Sequence, residues 1–253
     1  MLKPAAQVEP RRYALALETS GQHGSVAIGR QDECLESRRF SAEMQHATEL
    51  LPTIDALCRA HGAKPGDLAW VCVSGGPGSF TGLRVGVTCA RMLAMGLWLA
   101  VVRVPTLEVI AQNALQTRVP PQRVVVLLDA KRKRVFAGQF KRRGDRFVSA
   151  GPPVEADPRE FCAKQPRPCA VMGEGVSVHR QAVRDSGLVV LPEHLSRPRA
   201  EVVFQLGVVR AAAGEVDDPR GLVPIYVRRP EAEEVWERRH GVATGKGDEG
   251  HLR

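Results

Sequence analysis

This sequence of 253 residues has few aromatic side chains and no long apolar run, and its first residues do not resemble a leader segment. Phe, Trp and Tyr make up only 5% of the chain, which argues against a surface that binds sugars or stacks on bases. No apolar stretch separates Met1 from Arg11, so we expect no signal peptide. The longest apolar run, 92–102, is about half of the roughly 20 residues that a membrane helix needs. We therefore expect a cytoplasmic protein without a membrane segment.

The cysteines and histidines lack the spacing of a metal or redox site. No two cysteines stand in a C-x-x-C pair, and no two histidines stand at metal-binding spacing within one predicted helix. Three cysteines lie inside apolar runs, so we expect reduced thiols in a core and no metal in this chain. The six cysteines are Cys34, Cys58, Cys72, Cys89, Cys162 and Cys169.

Positive charge is concentrated in one segment. Between Arg118 and Arg146, ten basic residues accompany only Asp129 and Asp145, an excess equal to the net charge of +8 of the whole chain. Such a segment favours an acidic partner such as RNA, although a solvated basic hairpin explains the same pattern. The ten residues are Arg118, Arg123, Lys131, Arg132, Lys133, Arg134, Lys141, Arg142, Arg143 and Arg146.

The apolar pattern predicts two successive units with the same order of elements. At 43% hydrophobic and 25% charged residues, the composition is that of a folded protein of one or two domains. The first unit is predicted as strands at 13–19, 25–30, 33–40, 69–74 and 99–104 and helices at 46–61, 81–98 and 106–116. The second is predicted as strands at 123–129, 134–141, 146–150, 169–173 and 188–191 and helices at 158–164, 176–186 and 201–213.

Each unit therefore has the predicted order βββαβαβα, which indicates a mixed sheet with helices on its faces. We place the N-terminal half at 13–118 and the C-terminal half at 122–228. The remaining residues, 1–12 and 229–253, are charged or poor in apolar side chains, and we expect them to be disordered.

Five glycines fall within 73–86, between a predicted strand and a predicted helix. Pro77 and Leu83 stand where a Walker A loop needs Gly and Lys, and Thr81 stands where a dinucleotide loop needs its third Gly. Both phosphate templates fail. A helix N-terminus remains, which could hold an anion or simply be capped by Ser79 or Thr81. The loop comprises Gly75, Gly76, Pro77, Gly78, Ser79, Phe80, Thr81 and Gly82.

The helix that follows carries small residues at every fourth position and only two charges, Arg84 and Arg91, between 82 and 98. One face of the helix must pack on its own sheet. A ridge of small residues would let a second helix approach closely, either 49–61 of this chain or a helix of a partner subunit. The small residues are Gly82, Gly86, Ala90 and Ala94.

Six segments together resemble the TsaB (YeaZ) family, the non-catalytic subunit of bacterial tRNA threonylcarbamoyladenosine synthesis. In collinear order between 15 and 228, they are LALETS (15–20), HATELLP (46–52), SGGPGSFTGLRVG (74–86), VPTL (104–107), LDAKR (128–132) and PIYVR (224–228). The resemblance implies an actin-like ATPase (ASKHA) fold of two ribonuclease-H-like halves, in agreement with the repeated order of elements.

The resemblance also implies a catalytic sister subunit, of the TsaD type, with two metal-binding histidines four residues apart on a helix. The matching positions here are Thr106 and Ile110, so no metal centre is expected in this chain. Active superfamily members use an acid after the first strand of each half, followed by a glycine-containing phosphate turn. Glu18 with Thr19, and Asp129, occupy those places, but no glycine follows Asp129, so nucleotide chemistry is expected to be degenerate.

The family role implied is that of a scaffold and activator, without expected catalytic activity of its own. ATP and a metal ion are expected in the partner subunits, which are the TsaD-type sister and a TsaE-type ATPase, and tRNA is expected to reach the chain through the complex. The isolated chain is expected to form a homodimer through the docking surface. The residues predicted for this surface are Leu50, Ile54, Leu57, Arg84, Val87, Thr88, Arg91 and Met95.

Two other functions stay open on sequence grounds. An active small-molecule kinase or nucleotide hydrolase of the same superfamily would need a usable second phosphate turn, which the segment after Asp129 lacks. A standalone RNA-binding module would rest on the basic segment 118–146 alone, and 131–134 is the part whose neutralisation would test it.

Overall fold

The computed structural model describes residues 13–227, which form two α/β units, each built on a mixed β-sheet. The predicted tails, 1–12 and 229–253, lie outside the described residues. The strands of the first sheet are β1 (Tyr13–Glu18), β2 (Ser25–Arg30), β3 (Glu33–Arg39), β4 (Leu68–Gly76) and β5 (Ala100–Pro105). Those of the second are β6 (Arg123–Asp129), β7 (Val135–Arg143), β8 (Arg146–Ser149), β9 (Val154–Ala156), β10 (Ala170–Met172) and β11 (Val189–Val190).

The two sheets share one topology. The first has the strand order β3-β2-β1-β4-β5, with β1 antiparallel to β2 and parallel to β4. The second has the same order when it is followed from β8 through β7, β6 and β10 to β11, with β6 antiparallel to β7 and parallel to β10. Strand β9 is an addition that pairs with β7. Two such ribonuclease-H-like sheets make an actin-like fold, so the predicted fold class is confirmed.

The α-helices of the described range cover these sheets, and two of them differ from prediction. The predicted helix over 176–186 is broken, because the backbone at His179 (φ −111°, ψ 38°) leaves the helical region. The predicted helix over 106–116 ends in a 3₁₀ turn, Asn113–Gln116. The helices are α1 (His46–Ala60), α2 (Phe80–Leu97), α3 (Thr106–Gln112), α4 (Pro158–Ala163), α5 (Gly175–Val178), α6 (Arg180–Ser186) and α7 (Ala200–Ala212).

Strand β1 lies at the centre of the first sheet and is buried on both faces, which explains its unbroken apolar sequence. Leu15 and Leu17 point into a core that they share with α1 and α2. Ala14 and Ala16 point to the opposite face, against α7. Small residues on this second face give α7 room to lie close to the sheet.

Two helices pack on the sheet of the other half. Helix α3 follows β5 in the chain, but its Leu107 and Ile110 lie in the core of the second sheet. Helix α7 belongs to the second unit by chain order, yet its Val203 and Phe204 pack on β1, β2 and β4. The ranges predicted for the halves, 13–118 and 122–228, follow chain order, and these two helices make contacts across that division. Helices α3 and α7 thus contribute to the packing of the two halves against each other.

The segment after α7 returns to the first sheet. Asp217 accepts a hydrogen bond from the backbone N–H of Arg103 over 2.8 Å and pairs with its guanidinium at 3.2 Å. Further along, the backbone N–H of Ile225 donates to the carbonyl oxygen of Gly75 over 2.6 Å. The C-terminal part of the described chain thus lies over β5 and the glycine loop.

Candidate functional site: an exposed helix face and a cleft between the halves

The glycines of α2 allow this helix to lie directly on the end of β1. A Cβ atom at Gly82 would stand 2.0 Å from the carbonyl oxygen of Thr19, and one at Gly86 would stand 2.2 Å from its Oγ1. The Thr19 hydroxyl donates to the carbonyl oxygen of Gly82 over 2.7 Å. At these two glycines, the small ridge therefore accommodates a strand end of the same chain. The helix of the same chain that the sequence offered as a neighbour, α1, also packs against α2, where Leu57 shares a core with Ala90 and Ala94.

The glycine loop is held by the same strand end. The backbone N–H of Ser79 donates to the carbonyl oxygen of Ser20 over 2.7 Å, and a Cβ at Gly78 would come within 2.4 Å of that oxygen. The side chain of Ser79 caps α2 by accepting from the N–H of Gly82 over 3.3 Å, as the sequence had suggested. Gly76 has φ +111°, a conformation that side chains rarely adopt. These contacts give the loop a structural purpose inside the chain.

Half of the residues predicted for a partner interface are buried within this chain. Leu50, Ile54 and Leu57 are at most 7% exposed and point from α1 into the first core, and Val87 of α2 is 3% exposed in the same core. The prediction that these four form an accessible surface was therefore wrong. Apolar residues at helical spacing mark a buried face, but the spacing does not reveal whether the sheet or a partner covers it.

The opposite side of α2 is exposed and partly apolar. Of the predicted residues, Arg84, Thr88 and Met95 are exposed and Arg91 is half-buried. The sequence analysis placed Phe80 in the glycine loop and named neither Met92 nor Trp98 as a surface residue. On α2 or its C-terminal cap, these three are 42%, 62% and 84% exposed. The steps of three or four residues that link 84, 88, 92 and 95 on this face would have identified Met92. We call the set that follows the outer face of α2: Phe80, Arg84, Thr88, Met92, Met95 and Trp98.

The C-terminal segment extends this outer face. The guanidinium of Arg84 lies 4.0 Å from the ring centroid of Phe80, and the ring centroids of Phe80 and Tyr226 are 6.0 Å apart. The stack fixes Arg84 near the start of α2, where its charge is exposed. Residues far apart in the sequence thus form one end of the outer face.

A cleft of about 670 Å³ separates the two halves. Its walls include the β1–β2 loop of the first half and residues of α5 and α6 of the second. Arg199 pairs with Glu201 at 3.2 Å, whereas four further arginines of the cleft have no ion-pair partner within residues 13–227. These four are Arg39, Arg180, Arg184 and Arg197.

Glu18, the acid at the end of β1, is buried and does not line this cleft. Its carboxylate is fully buried and accepts hydrogen bonds from the N–H of Ser20 over 2.6 Å, from the Ser20 hydroxyl over 2.5 Å and from the hydroxyl of Ser74. Burial raises the pKa of Glu18, and these hydrogen bonds oppose the rise without cancelling it. The carboxylate of Glu18 is thus engaged by groups of the same chain at the end of β1.

Asp129, the corresponding acid of the second half, is also engaged. Its carboxylate lies 3.0 Å from Lys131 Nζ and 3.4 Å from His179 Nε2. Burial alone would raise the pKa of Asp129. Hydrogen bonding with Lys131 and the positive charge of Lys131, together with the nearby His179 ring, outweigh burial and lower the pKa. The turn after it, 130–134, contributes no side chain to the described lining of the cleft. Three of its residues, Lys131, Arg132 and Lys133, have positive φ without being glycine.

The positions at which the catalytic relative is expected to bind metal hold other side chains here. Thr106 accepts a hydrogen bond from the N–H of Gly76 over 3.1 Å, and Ile110 is fully buried. Neither fits a two-histidine metal site. Across the described part of the chain, no three His, Cys, Asp or Glu side chains are grouped as metal ligands. No helix between 13 and 227 is long and apolar enough to cross a membrane.

Comparison with known proteins agrees with the fold and the sequence motifs. A family model described as TsaD, tRNA N6-adenosine threonylcarbamoyltransferase, matches residues 40–236. The chain is 31% identical over 230 residues to the tRNA threonylcarbamoyladenosine biosynthesis protein TsaB of Bacillus subtilis, covering 88% of this chain and 96% of that protein. The chain belongs to the TsaB (YeaZ) family.

Other TsaB proteins and a solved structure are similar over nearly the same length. The Escherichia coli protein TsaB is 26% identical over 220 residues, covering 85% of this chain and 94% of its own length. The structure of YeaZ from Pseudomonas aeruginosa superposes with a TM-score of 0.74 at 25% identity, covering 84% of this chain and all of that one. The family resemblance inferred from the six sequence segments is therefore confirmed.

Proposed function

We propose that this TsaB-family chain is the accessory, non-catalytic subunit of the tRNA threonylcarbamoyl transferase complex. It docks on the metal-bearing catalytic sister subunit and supports threonylcarbamoylation of the adenosine next to the anticodon. Family membership supports the pathway, because the relatives are named for tRNA threonylcarbamoyladenosine biosynthesis. The observation that carries the docking role is the outer face of α2.

Helix α2 has apolar side chains on both sides. Its inner side, with Leu83, Val87 and Ala90, is buried in this chain, and its outer face exposes Met92 and Met95. Exposed apolar side chains clustered on one face of a helix mark an interaction site. A partner helix on the outer face would complete the burial of α2.

The chain itself offers little for catalysis. Glu18 and Asp129 are occupied by hydrogen bonds and ion pairs of the same chain, and Thr106 and Ile110 do not replace metal-binding histidines. We therefore assign the metal ion and ATP to the partner subunits. The TsaD-type sister binds the metal and the TsaE-type ATPase turns over ATP, while tRNA meets the chain within the assembled complex.

Light scattering after size-exclusion chromatography tests this proposal. The chain is measured alone and after mixing with the catalytic sister subunit encoded in the same genome. We expect a homodimer alone, formed through the outer face of α2, and a one-to-one heterodimer in the mixture. Absence of a complex, with or without ATP and tRNA, contradicts the docking role.

A kinase or nucleotide hydrolase is the second candidate, and the cleft favours it. A volume of about 670 Å³ suits a nucleotide, and the four unpaired arginines of the cleft are suitable for an anionic ligand. Against it stands the second phosphate turn, 130–134, which contributes no side chain to the described cleft wall. Turnover of ATP by the isolated chain would support this candidate over the accessory role.

A further inference from the structure

The basic segment 118–146 does not form one patch. In the antiparallel pair of β6 and β7, Arg123 lies opposite Lys141 at one end, and Asp129 lies opposite Val135 at the other. These ends are about 20 Å apart at the usual rise per strand residue. The cations of the segment therefore belong to two separate surfaces.

At the end with Asp129, the cations are already neutralised in part. Lys131 pairs with Asp129 at 3.0 Å, and Arg134 lies 3.7 Å from the carboxylate of Glu155 and donates to its carbonyl oxygen over 3.2 Å. This end includes 131–134, the part of the segment that the sequence suggested testing for RNA binding. Its internal ion pairs make it the weaker candidate for an anionic ligand.

At the other end, like charges face each other across the strands. Arg123 is the cross-strand partner of Lys141, and Arg143 is the cross-strand partner of Arg146. Lys141 and Arg143 are two residues apart on β7, so all four side chains lie on one face of the sheet. We call these four residues the basic edge: Arg123, Lys141, Arg143 and Arg146.

The basic edge is exposed, and the acid next to it in the chain, Asp145 in the turn between Arg143 and Arg146, makes no ion pair with it among residues 13–227. Lys141, Arg143 and Arg146 are exposed and Arg123 is half-buried. None of the four has an ion-pair partner among residues 13–227. Like charges directly opposite one another destabilise a β-sheet, so this arrangement favours binding of a ligand with several closely spaced negative charges.

We propose that the basic edge binds the phosphate backbone of RNA. A row of regularly spaced phosphates matches four cations on one strand pair, and release of counterions from RNA would drive the contact. Phe147, the aromatic residue next to Arg146, is fully buried, so its ring cannot stack on a base. The contact with the basic edge is therefore independent of base sequence. The choice of tRNA as the RNA rests on the proposed function, whereas the phosphate contact does not.

Fluorescence anisotropy of a labelled tRNA transcript, titrated with the full chain at several salt concentrations, tests the proposal. The double variant Lys141→Gln/Arg143→Gln removes two charges from the basic edge. The matched control Lys131→Gln/Lys133→Gln removes two charges from the opposite end. We expect the edge variant to bind at least about tenfold more weakly at low salt, with the slope of log K against log salt reduced by about two. The control variant is expected to retain the wild-type slope.

Three results would overturn the proposal: no binding of tRNA by the wild type, equal losses in both variants, or no loss in the edge variant. Binding of vesicles rich in anionic lipid through the basic edge, without binding of tRNA, would also overturn it. The edge variant should still form the heterodimer with the catalytic subunit, because the basic edge lies on the second sheet and α2 on the first. Loss of docking and loss of RNA binding are therefore separate outcomes.

Discussion

Gly82 of α2 lies against the carbonyl oxygen of Thr19, and a Cβ atom at this position would stand 2.0 Å from that oxygen. The contact explains why a glycine-rich segment need not bind phosphate. The helix must approach a strand end whose backbone cannot move without disturbing the buried hydrogen bonds of Glu18. The glycines thus determine the position of α2, and with it the position of its outer face.

Replacing Gly82 with Ala should therefore destabilise the chain by about 1–3 kcal/mol, because the added methyl group overpacks the contact with Thr19. Gly96 is a matched control, since it lies in the same helix with open space around its Cβ position. Gly96→Ala should be neutral or stabilise by up to about 1 kcal/mol. Urea unfolding of both variants measures the difference, and equal effects would show that the close contact is not what requires glycine.

The burial of Glu18 predicts a dependence of stability on pH. Its pKa is raised in the folded state, so the folded chain holds this proton more tightly than the unfolded chain does. The corresponding stability is present below the unfolded pKa and is lost as the pH rises through the folded pKa. Glu18→Gln keeps the shape of the side chain and should remove this loss.

Urea unfolding of the wild type and Glu18→Gln, measured from below the unfolded pKa of Glu18 to above its folded pKa, tests this dependence of stability on pH. Glu49→Gln is a control of opposite sign, because hydrogen bonds from Ser41 lower the pKa of Glu49, and its contribution is lost as the pH falls. An identical pH profile for the wild type and Glu18→Gln would contradict the assigned role of burial.

Binding of ATP by the isolated chain should be weak and independent of magnesium. Asp129 pairs with Lys131 and lies beside His179, and the buried carboxylate of Glu18 is held by hydrogen bonds, so we expect neither carboxylate to be available for a metal-nucleotide complex. Any binding should come from the cleft arginines and be reduced by Arg180→Ala. Isothermal titration calorimetry with ATP, in magnesium and in EDTA, measures this. Tight binding that EDTA abolishes and Asp129→Asn weakens would instead support the kinase.

Element order and family were accessible from the sequence because they depend on local signals. Apolar periodicity gave the strands and helices, and the glycine spacing around Gly82 marked a close contact. The exchange of α3 and α7 between the sheets was not accessible, since it depends on contacts such as that of Phe204 with the first sheet. Chain order alone gives no sign of it.

Only half of the candidate site could be predicted from the sequence, for a related reason. Leu50 and Met92 are both apolar residues of helices, but Leu50 is 2% exposed and Met92 is 62% exposed. The difference arises from how each helix is rotated against the sheet. Likewise, Arg143 and Lys131 are separated because of the register in which the strands of the hairpin pair. A count of charges along the sequence does not reveal this separation.

Docking should depend on Met92, which lies on the exposed side of α2, and a substitution there should affect docking without affecting the buried side of the helix. Met92→Glu places a charge on an exposed position, so folding should be retained while the affinity for the catalytic subunit falls by at least about tenfold. Val87→Glu, in contrast, would bury a charge in the core and should lower the free energy of unfolding by several kcal/mol. This variant therefore cannot report on docking.

Val209→Glu is the matched control for Met92→Glu. Val209 is 56% exposed on α7, which packs on the face of the first sheet opposite α2, so its replacement should leave both folding and docking unchanged. Light scattering of each variant with the catalytic subunit, together with circular dichroism of each variant alone, separates the cases. Retained docking of a folded Met92→Glu variant would remove the outer face of α2 from the interface, because a buried carboxylate in an apolar helix contact is strongly unfavourable unless it is paired.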